Sequence, residues 1–513
     1  MAHQTVFVID FGAQYAQLIA RRVRENNVFC QIVPYHRALE AVKAQRPAAL
    51  ILSGGPASVY APKAPSVPKE LLELGIPTLG ICYGVQFIAH ALGGKVEKQA
   101  HREYGNAVIE ITDTNGLFAG VGERTEVWMS HGDALTAPPT GFEILAKTPS
   151  CPLAAIGDPQ RKIYGVQFHP EVTHTPKGGV ILRNFLYSIA DLDGDWKMAD
   201  FIEEQKKSIR AKVGSERVIL GLSGGVDSSV AAVLIHQAIG PQLQCIFVDN
   251  GLLRKNERVL VDKTFRGHFK IPLTTVEAGS RFLTALKDVS EPETKRKIIG
   301  REFVRVFEEE SRKIQGARFL AQGTLYPDVI ESVSAHGGPT ATIKTHHNVG
   351  GLPDDLNLSL IEPFRELFKD EVRQIGTELG VPSEIVWRHP FPGPGLGVRI
   401  VGPLTEERVK LLQDADEIVL EEITAAGLYR RLWQAFAVLL PVRSVGVLGD
   451  ERAYGETIAI RAVESSDAMT ADWARLPYEV LGKISTRIMN EVRGINRVVY
   501  DISQKPPATI EWE

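Results

Sequence analysis

Three sets of residues in this chain have types and spacings suited to chemistry. The first is Ser223-Gly224-Gly225-Val226-Asp227-Ser228-Ser229. Glycine lets a backbone approach a ligand closely or take positive φ. The serines add hydroxyl donors, and a helix opening near Val230 would turn its N–H groups toward phosphate. Asp227 is an anion among anions, so it fits as a ligand of a Mg²⁺ ion that phosphates share. The Gly-Lys-Ser/Thr ending of an ordinary P-loop is absent. The second set centres on Cys82, with Gly80 and Gly84 two residues away on each side. Small neighbours permit a tight turn that exposes the thiol, and a following helix N-terminus favours thiolate. The N–H of Tyr83 and one from Gly54–Gly55 could form an oxyanion hole. The third set is His169 and Glu171, two apart in extended chain and so on one side of it. A thiol, an imidazole and an orienting carboxylate make a nucleophile–base–orienter set. Each set has a plainer reading: a helix-capping turn, a small core cysteine, a surface turn.

The elements that must hold these residues alternate strand and helix. Val6–Ile9, Phe29–Val33, Ala49–Leu52 and Thr78–Ile81 read as buried strands, with a helix from Tyr15 to Glu25. Two of them end in Ser53-Gly54-Gly55-Pro56 and in the Cys82 turn, at the carboxyl edge of the sheet. Tyr164–Phe168 is a strand leading to His169. Asp191–Asp195 is a polar linker and Lys197–Val213 an amphipathic helix. Arg217–Leu222 is the strand before the Ser/Gly loop. Leu243–Val248 follows it, and its end, with Val248, suits a ribose or base; Gly323 in Ala321–Ser332 joins the nucleotide-binding candidates. Glu291–Ile314 is helical and charged; Arg296 there could reach a phosphorylated substrate or simply be solvated. Lys369, where a loop opens a helix, reads as a phosphate ligand or a surface lysine. His346-His347 lacks a third ligand at metal spacing, so Lys344–Pro353 reads as a glycine-bearing lid over the nucleotide. His389–Arg399 is a Pro/Gly hinge, followed by helices Glu406–Ala425 and Pro477–Glu491 and strands Ala435–Leu440, Ser444–Leu448 and Thr457–Val463. The expected fold is α/β: two doubly wound, mostly parallel-sheet domains over 1–192 and 193–388, with a small α+β domain over 389–513.

At 513 residues there is room for about three domains on the usual length prior. A net charge of −4 gives no cause to expect nucleic acid or an acidic membrane as partner. No apolar run is long enough to span a bilayer, and the N-terminus lacks a signal-peptide pattern. Cys30, Cys82, Cys151 and Cys245 are far apart, which points to a reducing cytoplasm and away from a disulfide framework.

The Ser/Gly/Asp loop resembles that of the N-type ATP pyrophosphatases, which cleave ATP to AMP and pyrophosphate. G-x-C-Y-G-x-Q, with S-G-G-P upstream and Q-F-H-P-E downstream, resembles class I glutamine amidotransferases. That resemblance implies Cys82 as nucleophile, His169 as acid/base and Glu171 as orienter, releasing ammonia from glutamine through a thioester. It also puts Gln86 and the loop Met129–Asp133, with Ser130 and His131, around the glutamine; His131 could equally be a loop histidine bonded to backbone. R-H-P-F-P-G-P-G-L, K-T-H-H-N-V-G-G-L-P and the terminal K-P-P-x-T-I-E-W-E extend the likeness to the glutamine-hydrolysing GMP synthetase family along essentially the whole chain. The family implies that ATP with Mg²⁺ adenylates xanthosine 5′-monophosphate (XMP) and that ammonia then displaces AMP. It implies a homodimer through the third domain and an XMP site that includes the tail, with Lys505, Ile510 and Glu511. Two rival readings are another amidotransferase of the same chemistry, making NAD or asparagine, and a nucleotide-binding regulator with relic sites.

Overall fold

In a computed structural model, the described residues are 3–12, 15–56, 58–332, 358–448, 451–465 and 470–513. The expected lid, including His346 and His347, lies outside them. The described residues divide into two compact units, one over residues 3–201 and 330–332 and the other over residues 202–329 and 358–513.

The first unit is built on a nine-stranded sheet. Its strands are β1 (Thr5–Asp10), β2 (Phe29–Pro34), β3 (Ala49–Leu52), β4 (Thr78–Ile81), β5 (Lys95–Ile111), β6 (Arg124–Ala137), β7 (Glu143–Lys147), β8 (Ala155–Asp158) and β9 (Ile163–Val166), in the order β2-β1-β3-β4-β9-β8-β7-β5-β6. From β2 to β9 the neighbours are parallel. Strands covered on both faces must be apolar throughout, and Val6–Ile9 and Ala49–Leu52 are wholly buried. From β9 to β6 every pairing is antiparallel, which the alternating β/α reading did not anticipate. The reason is visible in β5, where exposed and half-buried positions alternate from Arg102 to Val108, as suits a half-exposed antiparallel ribbon. Met129–Asp133 is accordingly not a loop. It runs inside β6, with Ser130 opposite Tyr104 and His131 opposite Glu103.

The second unit holds a parallel five-stranded sheet: β10 (Arg217–Gly221), β11 (Leu243–Asp249), β12 (Leu273–Glu277), β13 (Ala317–Ala321) and β14 (Ser359–Ile361), in the order β12-β11-β10-β13-β14. The chain leaves β10 toward β11 and later returns to its other side at β13. The crevice between the carboxyl ends of β10 and β13 is thus the switch point where such sheets bind ligands. The helix after β10 spans Val226–Ile239, four residues earlier than expected, so Asp227, Ser228 and Ser229 lie in its first turn. Beyond Pro394 come the helix Glu406–Ala425 and a sheet of β15 (Gln434–Leu448), β16 (Glu451–Glu464), β17 (Asp472–Trp473) and β18 (Ile495–Tyr500). The two strands expected over 435–448 are one, with an irregularity between Leu440 and Ser444. This part shares one apolar core with the five-stranded sheet: Ile246, Val248 and Leu320 pack in the same cluster as Leu396, Val419, Leu439 and Ile484. Among the described residues, no helix is long and apolar enough to cross a membrane.

Candidate functional site

In the first unit, β4 delivers Cys82 to the start of the helix Tyr83–Ala91. Cys82 takes φ +51° and ψ −104°, a backbone state L residues avoid unless their surroundings impose it. The surroundings do so. A Cβ on Gly84 would stand 2.3 Å from the Leu52 carbonyl oxygen, and one on Gly80 would stand 2.6 Å from the Val85 nitrogen. A Cβ on Gly55 would meet the Tyr83 ring at 2.8 Å, so the Ser53–Pro56 loop closes directly on the turn. Ser53 Oγ accepts from the Phe11 N–H at 3.1 Å and donates to the Gly54 carbonyl at 2.8 Å, which fixes that loop.

β9 and β6 bring up the partners. The His169 N–H donates to the Trp128 carbonyl at 3.0 Å, and Thr175 Oγ1 donates to the His169 carbonyl at 2.6 Å. His169 Nδ1 lies 2.7 Å from Glu171 Oε1, both side chains being buried. Burial opposes the charged imidazole. The Glu171 carboxylate and hydrogen bonds to Cys82 and Glu171 outweigh it and hold His169 well above its ordinary value. Cys82 Sγ is 3.7 Å from the Ser130 carbonyl oxygen and 3.8 Å from Gln167 Nε2. Cys82, His169, Glu171, Ser130, Tyr83 and the Gly54–Gly55 loop are therefore gathered at one place. Gln86 is there too, but its amide already donates to the Asp133 carbonyl at 2.7 Å. His131 meets the same Asp133 carbonyl that the Gln86 amide bonds. It is buried, its Nδ1 lies 3.1 Å from the Asp133 carbonyl oxygen and its Nε2 3.3 Å from Glu103 Oε2. Burial lowers its pKa, and Glu103 only partly restores it. Gln167 escaped the sequence reading although period-two alternation from His169 puts it on the same side.

In the second unit, Gly224 (φ +73°) makes the turn after β10, and Gly225 caps the helix Val226–Ile239. Ser223 Oγ and Ser228 Oγ are 2.9 Å apart, and the Gly225 N–H reaches Ser223 Oγ at 3.3 Å. Ser229 is fully buried, with its N–H committed to the Gly225 carbonyl. Val226 and Val248 are buried as well. Asp227 Oδ2 meets Lys369 Nζ at 3.4 Å, and a Cβ on Gly323 would stand 3.1 Å from the Asp227 carbonyl carbon. Three residues from distant parts of the sequence thus converge at the switch point. Asp227 Oδ1 is buried with no hydrogen-bond partner among the described residues, a donor arrangement that fits a hard cation such as Mg²⁺. Arg388, unassigned by sequence reasoning, donates to the Gly224 carbonyl at 3.0 Å and pairs with the buried Glu257 at 2.7 Å.

The tail is held by buried cations. Arg399 grips Glu511 through two hydrogen bonds of 3.1 and 2.9 Å. Arg461 donates to the carbonyls of Ser503 at 2.7 Å and Thr509 at 3.1 Å. Lys295 meets Glu513 at 2.5 Å, and Arg296 bonds the Glu513 carbonyl. Ile510 packs with Phe436, Val438, Ala459 and Val463, while Trp512 stays half exposed. Lys505 forms a backbone bridge with Ala471. The tail docks as expected, chiefly through Ile510, Glu511 and Glu513. None of the buried cations gripping Glu511 and Glu513 was legible as such, because a lone Arg or Lys in sequence reads as surface charge.

Family descriptions match in three places: glutamine amidotransferase class-I over residues 7–189, NAD synthase over 197–282 and GMP synthase C terminal domain over 421–512. Fold and matches together define a glutamine amidotransferase joined to an ATP pyrophosphatase of the N type. The chain is 61% identical over 508 residues to a protein of Brachyspira hyodysenteriae named GMP synthase [glutamine-hydrolyzing], covering 99% of each. It is 60% identical to the protein of that name from Phenylobacterium zucineum, covering 100% of this chain and 99% of the other. The Clostridium novyi protein of the same name is 58% identical, again with 99% of each covered. The chain belongs to the glutamine-hydrolysing GMP synthase family.

Proposed function

We propose that this chain makes GMP from XMP, taking nitrogen from glutamine and activation from ATP. The observation that carries the reading is the buried Glu171–His169 pair held against the strained Cys82, in a chain aligned end to end with enzymes named for this reaction.

In the glutaminase half, Cys82 Sγ attacks the side-chain carboxamide carbon of glutamine. N–H groups of Tyr83 and the Gly54–Gly55 loop stabilise the oxyanion, with Gln86 and Ser130 beside the substrate. Glu171 holds the Nδ1 side of His169, which leaves Nε2 to give its proton to the departing ammonia. The thioester that remains is hydrolysed by water that His169 deprotonates, which regenerates the thiol and releases glutamate. His131 is assigned a supporting part, since its ring meets the Asp133 carbonyl and Glu103.

In the second half, Ser223–Ser229 cradle the phosphates of ATP through backbone N–H groups, with Val248 and Gly323 at the nucleoside side. The XMP C2 oxygen attacks the α-phosphorus and pyrophosphate leaves. Lys369 offsets the charge of that leaving group. Bound Mg²⁺ would share the same charge, and Asp227 is the residue to hold it. Ammonia then attacks C2 and AMP departs. The XMP site is proposed at Arg296 and the tail, with Lys505, Ile510 and Glu511; the fixed position that Arg399 and Arg461 give the tail supports this. Functionally the chain is read as three segments, 1–192, 193–388 and 389–513. A homodimer through the last is supported by Val442, Val445, Val447 and Tyr454, which stand exposed on the β15–β16 hairpin. Four free buried cysteines accord with a reducing cytoplasm.

The test is GMP and pyrophosphate formation from XMP, ATP and Mg²⁺ by wild type and Cys82→Ala, fed glutamine or ammonium. The reading requires the variant to work with ammonium and fail with glutamine. If the wild type makes no GMP from either nitrogen source, XMP is the wrong acceptor. The NAD synthase match over 197–282 then makes an NAD precursor the next acceptor to try.

A further inference from the structure

At the paired strands β5 and β6 lies a second cluster of side chains able to bind a ligand, and none of them takes a chemical step in the proposed mechanism. Glu103 on β5, His131 on β6 and Cys151 just after β7 bring a carboxylate oxygen, an imidazole nitrogen and a thiol sulfur within 4.8 Å of one another. His131 and Cys151 are buried and Glu103 is half-buried. They come together because β5 pairs Glu103 directly opposite His131. The turn after β7 folds Cys151 back onto them, its N–H donating to Thr148 Oγ1 at 2.8 Å.

The hydrogen bonds around the cluster leave one gap. A carbonyl oxygen can only accept, so the contact of His131 Nδ1 with the Asp133 carbonyl at 3.1 Å places the proton of a neutral ring on Nδ1. Nε2 is then a bare lone pair. It points at Glu103 Oε2, 3.3 Å away, and neither atom has a hydrogen-bond partner among the described residues. Glu103 Oε1, by contrast, accepts from Ser150 Oγ at 2.8 Å and Thr148 Oγ1 at 3.4 Å, so the carboxylate is held with its other oxygen turned inward. Two acceptors that face each other in a buried place repel unless a positive charge sits between them, either a proton on Nε2 or a metal ion.

We propose that Glu103, His131 and Cys151 form a binding site for a zinc-class divalent cation, with water in the fourth position. The donor set is the one such ions select: a thiolate, an imidazole and a carboxylate. The spacing also fits. Ligands about 2.0–2.1 Å from a tetrahedral zinc stand roughly 3.3 Å apart along an edge, which is the separation of His131 Nε2 and Glu103 Oε2. The second shell is already in place, because a metal-bound histidine ordinarily donates its other N–H to a carbonyl or carboxylate, and Asp133 supplies the carbonyl. Binding replaces the Cys151 S–H bond by a sulfur–metal bond and releases one proton to water. Oxidation states do not change. The bound ion joins β5, β6 and the turn after β7, and so clamps the antiparallel half of the nine-stranded sheet.

The test uses full-length protein carrying Cys82→Ala, which removes the other thiol able to take a metal. It is stripped with a chelator and titrated with cobalt(II) alone. One equivalent should bind with the visible bands of four-coordinate cobalt and a near-ultraviolet thiolate-to-cobalt band. Cys151→Ser should abolish the near-ultraviolet band and weaken binding at least tenfold. Glu103→Gln should weaken binding at least tenfold while keeping the band. Zinc should displace the cobalt and raise the melting temperature of the parent but not of the Cys151→Ser protein. Absence of cobalt binding in the parent, or a thiolate band that survives Cys151→Ser, overturns the proposal. Matching circular dichroism of parent and variants shows that a lost band is not a lost fold.

Discussion

The Glu171→Gln substitution isolates one part of the proposed chemistry. Glu171 is fully buried, and its Oε1 lies 2.7 Å from His169 Nδ1. Glutamine keeps the shape and can still accept this hydrogen bond, but it removes the charge. A hydrogen bond to an ionised partner is worth about 1.5–3 kcal/mol, and a close buried charge pair about 4 kcal/mol at an effective dielectric constant near 20. Loss of about 2–4 kcal/mol of imidazolium stabilisation, at 1.36 kcal/mol per factor of ten, slows the cysteine step about 30- to 900-fold. His169 is held high by this carboxylate, so the variant's imidazolium loses its proton at lower pH. The alkaline limb of the glutaminase profile should therefore shift to lower pH. The assay is glutamine-dependent and ammonium-dependent GMP formation across pH, for both proteins. The ammonium-dependent rate should stay within about twofold, since Glu171 serves only the first unit's chemistry. A glutamine-dependent loss under threefold would refute the reasoning, as would an equal loss with ammonium.

Three further outcomes follow from single residues. Asp227→Asn keeps the shape beside Lys369 and Gly323 but removes the negative charge offered to a cation. Pyrophosphate release should fall about 100-fold or more, and raising Mg²⁺ should recover part of it, while glutaminase activity measured alone is unchanged; no Mg²⁺ dependence of the defect would remove Asp227 from that role. Gly84→Ala drives a Cβ to 2.3 Å from the Leu52 carbonyl, so backbone must move; the first unit should lose about 1–3 kcal/mol in denaturant unfolding, and glutaminase activity should fall with it. His389 is buried, its Nδ1 accepts from the Ala435 N–H and its Nε2 faces the Tyr429 carbonyl, so burial lowers its pKa from 6.5 to about 4. A group depressed in this way binds its proton more readily unfolded. Stability is thus kept above pH 6.5 and lost as pH falls toward 4, about 2 kcal/mol of it by pH 5. Unfolding of the second unit should show that loss in wild type and not in His389→Gln.

What could be read from the sequence divides along physical lines. Cys82, Gly80 and Gly84 were legible because the constraint is local: a tight turn needs small neighbours within two residues. The Ser/Gly loop was legible for the same reason. Its helix starts four residues before the apolar run from Val230, because the turn capped at Gly225 begins it. Pairings across the fold were not legible. Lys369 and Asp227 are 142 residues apart, and nothing near either announces the other. The Met129–Asp133 segment, taken as a loop with the amidotransferase resemblance, is strand because it pairs with β5 far away in sequence. Placing it in a strand also sets the contacts of His131: the Ser130 carbonyl goes to Cys82, while the next ring meets Glu103 and the Asp133 backbone carbonyl, the backbone contact being one of the two readings of that histidine.

Both sites sit where a strand hands over to a helix, yet they solve opposite problems. At Ser223–Ser229 the ligand is large and anionic, so the backbone itself must be exposed, and Gly224 takes its left-handed turn at little cost. At Cys82 the proposed substrate must meet one side chain, so the left-handed position falls on the residue that carries the thiol, which no glycine can replace. Strain of order 1–3 kcal/mol at a non-glycine residue persists only if the neighbours leave no alternative. Here they leave none: Gly80 and Gly84 are pressed against Val85 and Leu52, and the Cys82 N–H is held by the Val166 carbonyl at 2.8 Å. That bond ties the strained residue to β9, the strand that leads directly into His169. The thiol and its proposed base are therefore positioned by one pair of hydrogen-bonded strands, and a change that relaxes the turn at Cys82 also loosens its registration against His169.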